Sequence, residues 1–190
     1  MGVTYESRRR DRGVKCLSLG FWEAVRTNNR LACNNYLRGA ELGVNDRMIL
    51  IPANNSNVHF TLVIVDLLEC VAWQYDPLII EVRDLTQAGR IGEVIGQHIH
   101  RTFTTQSWLG PQQGNSVDCG IYVFLVIAAL LKGQQANDRM YVNCKQTRQQ
   151  LWEILLEMWW QEQRANGMTA SHRERGVREV HNAEIVDLNK

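Results

Sequence analysis

The chain has 190 residues, 21 basic and 20 acidic, and its net charge of +1 provides no overall field for gathering nucleic acid or an anionic membrane. That length supports one domain with a real core. The five cysteines, Cys16, Cys33, Cys70, Cys119 and Cys144, are an odd set with no C-x-x-C pair. This argues against a disulfide framework or a cysteine zinc site, and for reduced thiols in an intracellular protein, nuclear or cytoplasmic.

In chain order, residues 1–16 read as a flexible basic terminus, with Arg8, Arg9, Arg10 and Arg12 clustered. They hold no apolar run of a secretory signal, and Glu6 stands where myristoylation wants Ser or Thr. From Leu17 to Leu37, Phe21, Trp22, Val25, Leu31 and Tyr36 have loosely helical spacing, cut by Asn28-Asn29 and by Asn34-Asn35. Two β-type runs follow, 48–52 and 58–66, and then a third at 71–76. The second run is apolar on both faces, with Phe60, Leu62 and Ile64 on one side and Val63 and Val65 on the other, which predicts a central strand covered on both sides by helices.

A helix is predicted at 86–100, a short β-like segment at 102–105, a helix at 119–132 and an amphipathic helix at 145–163 carrying Leu151, Ile154, Leu155, Met158 and Trp159. The apolar run 121–131 falls short of the roughly 20 residues that cross a bilayer. Residues 166–190 read as a polar, disordered tail. Strands clustered mid-chain with helices around them predict an α+β domain over residues 17–165, built on a mixed central sheet flanked by helices.

The stretch PQQGNSVDCGIYVF, 111–124, places Cys119 between polar turn residues and a helix-forming apolar run. A helix N-terminus favours the thiolate, because its unpaired N–H groups and dipole stabilise negative charge. Gly114, Asn115 and Ser116 supply a turn before the cysteine, and Gly120 permits close backbone approach after it. A structural free cysteine remains the alternative for this loop read by itself.

A nucleophile needs a base held by a third group. If 58–66 and 71–76 form a hairpin about Leu67-Leu68, antiparallel partners have numbers that sum to 135, and His59 opposes Asp76 on one face. Asp76 could then fix the imidazole tautomer while the other ring nitrogen faces a thiol. Gln113, six residues before Cys119, offers a side-chain amide for an oxyanion. His98 and His100 are spaced to project apart, so no metal site is read there, and no cofactor is expected.

The order VHFTLVIVD, WQYDPL, PQQGNSVDCGIYV resembles the ubiquitin-like-protein protease family, the SUMO-specific and deneddylating cysteine proteases with a papain-like fold. The family spaces its His and Asp by 17 residues and its Gln and Cys by six, as His59, Asp76, Gln113 and Cys119 do here. The resemblance implies a monomeric cysteine protease or isopeptidase that cleaves after the C-terminal Gly-Gly of a ubiquitin-like modifier, its nucleophile at a helix N-terminus. Cys119 would be the nucleophile, His59 the base, Asp76 its orienter and Gln113 the oxyanion donor. Substrate contacts would come from Phe60, Trp108, Asn115, Asp118 and Gly120, with Phe60 where most members have Trp. Two departures stand out: Pro77 replaces the Ser that commonly follows the Asp, and no Trp-Leu-x-Asp segment precedes Leu17, so that wall of the groove would be missing or rebuilt from Phe21-Trp22. A modifier-binding pseudoprotease, an acyltransferase and a viral-type maturation protease are compatible with the same residues.

Overall fold

The structure is a computed structural model that describes residues 13–42, 46–55, 58–79 and 84–165. Ten elements follow in chain order: β1 (Gly13–Cys16), α1 (Leu19–Arg26), α2 (Arg30–Gly39), β2 (Asp46–Asn55), β3 (His59–Asp66), β4 (Val71–Tyr75), α3 (Thr86–Ile99), β5 (Thr104–Ser107), α4 (Cys119–Leu131) and α5 (Cys144–Ala165). The strands form one sheet in the order β1-β2-β3-β4-β5. The central three are antiparallel, and each edge strand adds in parallel. Parallel neighbours need a crossover, which α1 and α2 supply between β1 and β2, and α3 between β4 and β5.

Side-chain alternation sorts the sheet into two faces. Ile49, Ile51 and Ala53 of β2, Val63 and Val65 of β3 and Ala72 of β4 share one core with α1, α2 and α3. Met48, Leu50, Leu62, Ile64 and Tyr75 form the other, with Val123, Val126, Ala129 and Leu130 of α4. β3 is therefore covered on both sides, as its doubly apolar pattern predicts. Its residues from Thr61 to Asp66 are all buried. This is the α+β architecture, a mixed sheet flanked by helices, that the sequence leads one to expect.

Several local expectations are corrected. Gly13–Cys16 is not part of a loose terminus, because it pairs with Asp46–Leu50 and Lys15 donates to the carbonyl of Ala40 and meets Asp46 at 3.3 Å. Of the two cuts expected in the helical spacing across 17–37, the one at Asn28-Asn29 is present: Asn28 adopts a left-handed φ of 54° and Asn29 caps the Ala32 N–H at 3.0 Å. Asn34 and Asn35 do not break α2; both lie on its exposed side, where an amide costs a helix little. The rest of the predicted basic terminus, 1–12, and the predicted tail, 166–190, lie outside the described residues.

The β3–β4 register also differs from the expected one. Partners such as Leu62 and Tyr75, or Val65 and Ala72, have numbers summing to 137. The turn holds four residues, Leu67–Cys70, because the Asp66 carboxylate accepts the N–H groups of Leu68 (2.9 Å) and Glu69 (3.1 Å), and Cys70 takes a left-handed φ of 52°. A shift of two keeps every side chain on its face.

The chain divides into two compact units, 1–144 and 145–190. The second is described only through the helix to residue 165, along which Gln149 donates to Glu153 and Gln161 to Glu157 at four-residue spacing. No helix among the described residues is long and apolar enough to cross a membrane.

Candidate active site

His59 opens β3 and Asp76 follows the last residue of β4, both beyond the end of the β3–β4 ladder at Leu62 and Tyr75. In the observed register they are diagonal neighbours rather than directly opposed. The imidazole spans the difference, with Nε2 2.8 Å from Asp76 Oδ1. A carboxylate only accepts, so Nε2 carries the proton in this pair and Nδ1 of the neutral ring is left as the acceptor. Asp76 Oδ1 also accepts the Leu78 N–H at 2.8 Å, which fixes the turn after β4.

Cys119 is the first residue of α4 and is buried. Its sulfur accepts the backbone N–H of Phe60 at 3.4 Å, so the thiol meets the strand at the residue after His59. The Phe60 ring lies over the first turn of α4: a Cβ on Gly120 would come 3.6 Å from it, ordinary van der Waals contact. The loop before α4 is tied to the Asp76 end of β4 by two bonds. Gln113 N–H donates to the Pro77 carbonyl at 2.8 Å, and the Gln112 side chain donates to the Asp76 carbonyl at 3.3 Å.

Within that loop Asn115 is the hub. Its Oδ1 accepts the N–H groups of Val117 (3.0 Å) and Asp118 (3.1 Å), and its Nδ2 donates to Asp118 Oδ2 at 2.6 Å. The Gln113 amide donates to the Asn115 carbonyl, and its own oxygen is buried without a hydrogen-bond partner. An amide nitrogen has two hydrogens, so one remains for another acceptor. Asn115 and Asp118 thus brace the loop that presents Cys119.

Of the five predicted substrate contacts, Trp108 is placed elsewhere. Its indole N–H donates to the Ala136 carbonyl at 3.1 Å, beyond the far end of α4. The ring stacks edge-on against Trp73, with centroids 5.7 Å apart, and lines a cavity of about 180 Å³ with Met48 and Leu130. A tryptophan shortly before the cysteine loop reads as part of the site only because sequence distance hides the direction in which the strand β5 leaves.

Sequence reasoning missed three polar residues behind His59. Gln87, buried in the first turn of α3, accepts the Thr61 hydroxyl at 2.7 Å and donates to Asn55 Oδ1 at 2.6 Å. No motif announces them. Electrostatically, the centre adjoins Tyr75, whose hydroxyl is pushed far above its ordinary range by burial first and then by Tyr122 and Asp76, and which donates to the Pro111 carbonyl at 2.6 Å. Burial also raises the thiol of Cys33 in the opposite core, which keeps that cysteine protonated near neutrality.

The family model of the Ulp1 protease C-terminal catalytic domain matches residues 44–157, well over half of the chain and inclusive of His59, Asp76, Gln113 and Cys119. Among solved structures, the chain is similar to the C-terminal Ulp1 protease domain in complex with Smt3, the yeast ortholog of SUMO. Identity is 18%, TM-score 0.57, covering 69% of this chain and 62% of that one. The Ulp1-like SUMO protease catalytic domain of Chaetomium thermophilum matches at 20% identity and TM-score 0.58, over 70% of this chain and 58% of that one. The Xanthomonas campestris effector XopD, bound to ubiquitin, matches at 15% identity and TM-score 0.56, over 78% and 83% respectively. The chain spans less than two thirds of the first two, and likeness at such identities speaks for the fold. Among curated proteins, no match is found.

Proposed function

Given that the chain belongs to the Ulp1 protease family of cysteine peptidases, we propose that it cleaves the bond after the C-terminal glycine of a ubiquitin-like modifier, using Cys119, His59 and Asp76. His59 Nδ1 takes the thiol proton as Sγ attacks the glycine carbonyl carbon. The α4 N-terminus and the second amide hydrogen of Gln113 stabilise the oxyanion. The imidazolium, held by Asp76, returns its proton to the departing amine, and water then releases the acyl group from sulfur. Phe60, seated on the first turn of α4, would cover the glycine tail.

The observation that supports this reading best is the convergence at one strand end, with the His59–Asp76 bond of 2.8 Å and the Phe60 N–H on the Cys119 sulfur at 3.4 Å. Modifiers that relatives are bound to, Smt3 and ubiquitin, are the candidates to try. The test is reaction of the purified chain with SUMO and with ubiquitin carrying a thiol-reactive group at the terminal glycine. An adduct with one of them is expected, lost in Cys119→Ala and slowed at least tenfold in His59→Ala, in line with the loss of a general base. Binding without any adduct from the folded chain would overturn the reading in favour of a modifier-binding module.

A further inference from the structure

The β3–β4 ladder stops at Leu62 and Tyr75, so the strand end that carries His59 extends past its neighbour on that side. On the other side it ends in the pair Asn55 and His59, the last of the β2–β3 ladder. Gln87 reaches both strands at this point: its amide oxygen takes the hydroxyl of Thr61, two residues along β3 on the face of His59, and its amide nitrogen reaches Asn55 across the ladder. Thr61 is fully buried and Gln87 nearly so, at 0% and 6% exposed. An apolar pair of the same shape would serve stability about as well, since exchanging both partners of a buried hydrogen bond is nearly neutral. What a satisfied polar trio adds is a fixed geometry.

We propose that Gln87 is a positioning residue, which clamps the ends of β2 and β3 through Asn55 and Thr61 and so holds the His59 ring on Asp76. The inference rests on the reading of His59 as the base, but its primary test does not need activity. The double variant Gln87→Leu/Thr61→Val removes the clamp without orphaning a buried group, and Asn55→Ala cuts only the arm at the exposed strand end. In both, thermal unfolding controls for the fold. The readout is the hydrogen-bonded ring N–H proton of His59 in NMR spectra, assigned by its loss in His59→Ala.

That proton is expected to exchange with solvent at least tenfold faster in the double variant, and measurably faster in Asn55→Ala, with folding retained. Modifier labelling of Cys119 is expected to slow about tenfold while modifier binding is unchanged, the usual cost of a small misplacement. An unchanged ring proton in a folded double variant, or in Asn55→Ala should the double variant not fold, would overturn the inference. If the ring proton responds but wild-type Cys119 labels with no modifier, the positioning role stands and the protease reading fails.

Discussion

Asp76 receives two donors on one oxygen, the His59 ring and the Leu78 backbone, each at 2.8 Å. Asp76→Asn keeps an acceptor for both, so the turn and the ring orientation survive, but it removes the charge that, in the proposed mechanism, steadies an imidazolium. The expected outcome is a fall in kcat/KM of about a hundredfold or more on a modifier fusion, with the thermal midpoint nearly unchanged. Activity within twofold of wild type would show that the carboxylate charge has no part in the chemistry. This residue was legible in the sequence because parity survives a register error: a hairpin displaced by two still leaves His59 and Asp76 on one face. Gln87 was not, since a glutamine in a first helical turn reads as a solvated side chain until the tertiary fold buries it beside Thr61.

The helix α3 packs by means of its glycines. A Cβ on Gly96 would overlap the Arg101 carbonyl oxygen, and one on Gly92 would press on Ala72 and Phe103 at 3.3 Å, whereas at Gly89 the nearest atom is Thr105 Cγ2 at 3.9 Å. Gly96→Ala is therefore expected to destabilise by about 1–3 kcal/mol, the backbone overlap outweighing the gain in helix propensity. Gly89→Ala, meeting only ordinary contact, is expected to stabilise by about 0.5–1 kcal/mol. Urea unfolding of the two variants should move the midpoint in opposite directions, and a shift of both to higher stability would refute the close packing. Elements with strong periodicity, β3, α3 and α4, were readable from sequence to within a residue or so at their ends. β1 was not, because four residues, GVKC, carry no period and gain their strand from a partner 33 positions away in the pair of Gly13 with Asp46. The four-residue turn was hidden for a similar reason: the Asp66 carboxylate, rather than an Asn-Gly signal, shapes it.

For the molecule as a whole, the buried Tyr75 links stability to alkaline pH. Its hydroxyl holds its proton more tightly in the fold than in the unfolded chain, chiefly because burial opposes the phenolate. Its contribution is thus complete below the ordinary tyrosine value of 10.0 and is lost as pH rises beyond it. Unfolding free energy should fall from about pH 10 upward, and Tyr75→Phe should flatten that decline while costing about 1 kcal/mol at neutral pH for the bond to Pro111. An identical alkaline slope in the variant would exclude Tyr75 as its source. The same burial that tunes Tyr75 also bears on how such a protein can diversify. Thr61–Asp66, the interior of the strand that His59 opens, is committed to two cores at once, while Val58, Leu78 and Val117, each within two residues of His59, Asp76 or Cys119, are at least half exposed. Substitution is cheap at those rims and expensive between them. Substitutions can therefore accumulate at those rims without disturbing the strand that positions His59.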